Sequence, residues 1–167
     1  IGLGSGHDGI LILDPAIPAG QPAALLYKPY QDHIYEIGLT PNRMDAMSHL
    51  GVARDVCAWM SHHQQTDVKP LIPFDQDPVP TGHAPEISVK IENTTDCRRY
   101  SGILIKGITI QESPLWLRQK LKSIGLKPIS NIVDITNFIL HETGQPLHAF
   151  DADKITGNEV IVKNLPE

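Results

Sequence analysis

Five prolines fall within sixteen residues: Pro70, Pro73, Pro78, Pro80 and Pro85. Proline lacks an amide donor and fixes φ, so this stretch holds neither a continuous helix nor a central strand. It divides the chain into residues 1–60, an extended linker over 61–85, and residues 86–167. At 167 residues the whole has room for one ordinary domain, or one and a fraction.

Each flank shows its own periodicities. In the first, the apolar run Ile10 to Leu13 predicts a buried strand ending at Asp14-Pro15, and Ile34 to Ile37 predicts a second. A helix is expected to start between Thr40 and Ser48, with Val52, Val56 and Trp59 as its buried stripe. In the last flank, alternation over 87–91 predicts a strand with Ile87, Val89 and Ile91 on one face. A longer strand or hairpin is expected from Tyr100 to Ile110.

Ser113, Pro114 and Gly125 then bracket a helix as cap, first residue and left-handed stop. Leu117, Leu121 and Ile124 form its inner stripe, with Arg118, Lys120 and Lys122 outward. A further helix is expected over 131–140, with Ile132, Ile135, Thr136 and Ile139 on one face and Gly144 ending it, although its β-branched content equally suits a strand. A last strand is expected at 160–162. Strands and helices alternate without a βαβ rhythm, which predicts an α+β class: mixed or antiparallel sheets with a few packed helices, in two partial domains joined by the proline-rich linker.

Composition removes several functions. No apolar run approaches the roughly 18 residues of a membrane helix. Nine aromatics and a net charge of −5 count against a general nucleic-acid binder or a base-stacking platform. Cys57 and Cys97 stand alone, which suits two reduced thiols and a cytoplasmic protein better than a disulfide scaffold or zinc cluster. The chain opens at Ile1 without a signal sequence and reads as a piece of a longer polypeptide. The glycines at 2, 4 and 6 precede a strand instead of following one, so they read as an entry loop, not a dinucleotide fingerprint. Eight histidines include no metal-ligand spacing, and no metal site is expected.

Three features are candidates for chemistry. Between residues 98 and 127, seven basic groups face one acid, Glu112, a window of net charge +6 that could steer a polyanion. Arg118, Lys120 and Lys122 are its candidate RNA contacts, against the plainer reading of a solvated helix face. His148 lies in an extended stretch after a helix stop, beside Leu147, Ala149 and Phe150, as a candidate ligand contact against the plainer reading of a satisfied core histidine. Thr136, on an apolar helix face, ordinarily bonds back to a carbonyl.

Four segments taken together resemble the β-subunit family of bacterial phenylalanyl-tRNA synthetases. They are His7-Asp8-Gly9-Ile10; Leu39 to Arg43 running into Ser48 to Arg54; Arg99 to Gly102; and Asn131 to Asn137 running into Gly144 to Asp151. The helix start at Ser113 to Leu117 lies between them. Met44, Ala46, Met47, His141 and Thr143 depart from the usual pattern, which bears on local packing. The resemblance implies that residues 1–60 complete a split N-terminal domain and that 86–167 begin the editing domain, which hydrolyses tyrosine wrongly attached to tRNA(Phe).

By the same resemblance, Thr136 and His148 line the catalytic pocket, with Asn131, Asn137 and Gln145 as further substrate contacts. His148 would hydrogen-bond the substrate or the attacking water, and Thr136 would hold water or the amino-acid moiety. The acid that recognises the tyrosine hydroxyl would lie beyond Glu167. Aminoacylation, with its ATP and Mg2+, is expected on the α subunit, and no cofactor on this segment. The implied partners are that α subunit and tRNA(Phe). The alternative is a structural, tRNA-contacting module that supports the α subunit without chemistry of its own.

Overall fold

A computed structural model of the chain describes residues 9–10, 12–27, 30–73 and 86–165. The chain separates into two units, Ile1–Glu36 and Ile37–Glu167. The first carries one short helix, α1 (Ala23–Tyr27). Asp14 opens a turn before it, its Oδ1 accepting from the Ala16 amide at 2.8 Å and its carbonyl from the Ile17 amide. The strand expected over 10–13 lies partly outside the described residues, and its described members Ile10, Ile12 and Leu13 are exposed without a ladder.

The second unit is mainly helical, with α2 (His49–Gln64), α3 (Leu115–Ser123) and α4 (Asn131–Thr143). Its strands, β1 (Ser88–Ile91) and β2 (Glu159–Val162), pair in parallel, with Val89 beside Val160 and Ile91 beside Val162. Helices with a strand pair make the class α+β, but low in strand. The pairing expected as mixed or antiparallel is parallel, because α3 and α4 lie between the two strands in the chain and supply the long crossover a parallel pair requires. Residues 34–37 and 100–110 are extended without a ladder among the described residues. Ile103, Ile105, Ile108 and Ile110 accordingly stay exposed.

Helix ends follow local chemistry. Ser48 caps α2, its Oγ accepting from the Gly51 amide at 2.9 Å. Gly144 closes α4 at φ +80° and Gly125 follows α3 at φ +83°, where a Cβ would be strained. The buried face of α2 differs from the expected stripe. Leu50 and Gly51 are buried, whereas Val56 and Trp59 are exposed. The reason is that α2 packs through its first turn, on the 3-10 turn Met44–Ala46 and on α4.

On α3, Leu117 and Leu121 are almost fully buried, and each contributes about 2 kcal/mol of burial. Ile124 is only partly covered. Arg118 departs from its expected outward position: it is half-buried and ion-paired with Glu112. On α4, Ile132, Thr136 and Ile139 are half-buried and Ile135 is exposed. Trp116 of α3 meets Phe138 of α4 edge-on, with centroids 5.5 Å apart.

Candidate functional site

The residues expected to line a pocket lie on α4 and in the segment that leaves it. The first turn of α4 has no side-chain cap from Ser130. Asp134 instead ties the approach to the helix from inside it. Its Oδ1 accepts from the Ile129 amide at 2.9 Å, and its Oδ2 accepts from Ser113 Oγ at 2.5 Å. Asp134 has no exposed surface and Ser113 almost none. Ser113, expected to cap α3, is turned toward Asp134 and leaves α3 without a side-chain cap.

Asn131 is equally committed. Its Nδ2 donates to the Thr109 carbonyl at 3.0 Å, and its Oδ1 accepts from the amides of Gln111 and Ile132. Its own amide donates to the Gln111 carbonyl at 2.9 Å. Thr136 is half-buried one turn on, and its hydroxyl donates to the Val133 carbonyl at 2.8 Å. That bond uses the only proton on Oγ1 and leaves its lone pairs able to accept. Asn137, the next residue of α4, is half-buried.

The C-terminal turn of α4 is set by α2. His49 Nδ1 donates to the His141 carbonyl at 3.0 Å, satisfying one orphan acceptor of the last turn. The same contact brings the electropositive start of α2 to the electronegative end of α4. Gly144 sits beside Ser48, where a Cβ would come within 3.5 Å of the Ser48 side chain. Thr143 Oγ1 accepts from the Gln145 amide, and Gln145 Nε2 donates to the Pro146 carbonyl.

The chain then runs extended to His148, which is exposed, its ring 4.5 Å from that of Phe150. Thr136 and His148 make no hydrogen bond to each other among the described residues. Lys120 and Lys122 are exposed on α3.

A separate concavity of about 410 Å³ is lined by Arg43, Asp55, Val56 and Trp59. Arg43 bridges Asp45 and Asp55 there, with Nη2 2.7 Å from Asp55 Oδ1. Hydrogen bonding to Asp45, then to Asp55, raises the Arg43 pKa above its ordinary value, and the same guanidinium lowers that of Asp45. His63 stacks on Trp59 at 4.1 Å between centroids. Among the described residues no three His, Cys, Asp or Glu side chains converge as a metal site. No described helix is long and apolar enough to cross a membrane.

Asp134 is the buried acid that periodicity does not reveal. Its signal is an acid set among Ile132, Val133 and Ile135, five residues after the Ile129 amide that it accepts from.

Residues 96–166 match the B3/4 domain family. Over its whole length the chain is 47% identical to a phenylalanine–tRNA ligase β subunit of Bacteroides fragilis and 48% identical to that of Bacteroides thetaiotaomicron. It is 45% identical to that of Salinibacter ruber over 98% of the chain. In each case the chain spans about a fifth of the relative's length, 20%.

Proposed function

We propose, since the chain belongs to the phenylalanine–tRNA ligase β-subunit family, that it supplies part of a site hydrolysing tyrosine wrongly esterified to tRNA(Phe). The observation that carries this reading is the B3/4 match over 96–166, which contains both Thr136 and His148. In this assignment residues 1–60 belong to the N-terminal domain, the linker of 61–85 begins with the last turn of α2, and 86–167 begin the editing domain. Aminoacylation, ATP and Mg2+ belong to the remainder of a cytoplasmic enzyme that includes the α subunit.

The chemistry needed is modest. Tyrosine exceeds phenylalanine by one hydroxyl, which an apolar synthetic pocket rejects by only about 10². A second site removes the error by ester hydrolysis, which requires a placed water and a donor near the developing oxyanion. Thr136, its proton spent on Val133, offers acceptor lone pairs and so holds a water or the substrate ammonium. His148, exposed beyond the turn at Gly144, orients the water or the substrate end. Asn137 and Gln145 are further substrate contacts.

Lys120 and Lys122, both exposed on α3, offer a cationic surface to the RNA, while Arg118, one turn before Lys122, is paired with Glu112. That face also favours the second reading, an RNA-contacting support without chemistry.

Deacylation separates the two. The complete enzyme should release tyrosine from tyrosyl-tRNA(Phe) much faster than phenylalanine from the cognate ester. Equal, background-level release of both would leave only the supporting role.

A further inference from the structure

Thr109, Gln111 and Ser113 alternate along one extended segment, and all three are held by the first turn of α4. Asn131 takes the Thr109 carbonyl and both backbone groups of Gln111, and Asp134 takes the Ser113 hydroxyl. In an extended chain, alternate residues present their backbone groups to the same edge. The start of α4 therefore stands where a neighbouring strand would, with the Asn131 side-chain amide imitating a peptide group.

At 100° per residue, Thr136 lies 140° around the helix from Asn131. Asn131, Asp134 and Phe138 form the face turned toward residues 109–116, where their contacts are. Thr136 projects from a different side, so Asn131 is poorly placed to share a substrate with it.

We infer that Asn131 and Asp134 are positioning residues: they clamp residues 109–113 onto α4 and so fix the orientation of the helix that presents Thr136. Asn131 thereby leaves the set of substrate contacts. The consequence for deacylation rests on the editing function proposed above, whereas the clamp itself does not.

The test uses the full-length β subunit assembled with its α subunit, and the variants Asn131→Ala and Asn131→Asp. Aspartate keeps the acceptor for the Gln111 amide but sets a carboxylate oxygen, in place of the donor, against the Thr109 carbonyl. Hydrogen exchange at the Gln111 amide should accelerate more than tenfold in Asn131→Ala and stay within about threefold of the parent in Asn131→Asp. Tyrosyl-tRNA deacylation should lose about tenfold in kcat in the alanine variant, with KM within twofold, and recover largely in the aspartate variant.

Unchanged exchange at Gln111 in Asn131→Ala overturns the clamp. A raised KM with unaltered kcat overturns the positioning role and returns Asn131 to the substrate contacts. If the parent enzyme has no deacylase activity but Gln111 exchange still responds, the clamp stands and the editing function falls.

Discussion

Ser113 donates its hydroxyl to a carboxylate oxygen of Asp134 at 2.5 Å, and neither side chain has appreciable contact with solvent. The bond ties the approach to α3 to the first turn of α4. Removing the carboxylate strands two donors, the Ser113 hydroxyl and the Ile129 amide. Asp134→Ala should therefore cost about 2–4 kcal/mol, since an unsatisfied buried group costs about 1–3 kcal/mol. Asp134→Asn, which keeps an acceptor for Ile129 and lets Ser113 reverse its role, should cost about 1 kcal/mol. Urea denaturation of the two variants checks the order, and equal losses would deny the pair its role.

Among the described glycines, Gly51 has the closest neighbours. A Cβ there would stand 2.4 Å from the Asp45 carbonyl oxygen and 2.6 Å from Ala46 Cα, both backbone atoms. Gly51→Ala should forfeit any gain in helix propensity and destabilise by about 1–3 kcal/mol, the usual cost of overpacking. A thermal midpoint unchanged or raised by this substitution would contradict the packing of α2 on the Met44–Ala46 turn.

The Arg43 fork predicts a pH dependence. Hydrogen bonding to Arg43 holds the folded Asp45 carboxyl below its ordinary value of 3.8. Its contribution is thus present above the unfolded pKa and lost as pH falls through the lower folded value. Both groups are solvent-exposed, so the effect on stability is small and the sharper observable is the titration itself. Arg43→Gln should move the Asp45 midpoint, followed by NMR, back up toward 3.8. A midpoint that stays depressed would assign the shift to another cause.

For the cationic face, replacing Lys120 and Lys122 with glutamate should weaken tRNA(Phe) binding and flatten its dependence on salt. Each phosphate that is no longer neutralised takes about 0.7–0.9 off the logarithmic salt slope. An unchanged slope would make the two lysines part of a solvated helix face.

Much of this architecture is legible in the sequence where the signal is local. Ser48 at the start of α2, Gly125 after α3 and Gly144 at the end of α4 act through their own backbone or side chain, so these three limits follow from residue type. The alternation at 87–91 and the β-branched triplet at 160–162 likewise mark both strands. What periodicity cannot supply is the partner. Ile34 to Ile37 and Tyr100 to Ile110 have strand composition, but a strand exists only beside another, and among the described residues none pairs with them.

The same limit explains why the buried face of α2 departs from its periodicity. Val56 and Trp59 obey helical spacing, yet the helix is held through its first turn and they face the concavity shared with Arg43 and Asp55. Ser113 has the right type for a cap and is drawn away by a carboxylate 21 positions on. As for the candidate site, Thr136 is readable both as a threonine bonded back to a carbonyl and, by resemblance, as a pocket residue. The hydroxyl proton given to Val133 is compatible with the two together.

The central claim is that the imidazole of His148 serves tyrosyl-ester hydrolysis, and single-turnover deacylation of tyrosyl-tRNA(Phe) by the complete enzyme tests it most directly. His148→Ala should slow release by about 10–100-fold while tRNA affinity stays within a fewfold, in keeping with the loss of one positioned polar group at the reacting centre. Release at the parent rate in that variant would contradict the claim.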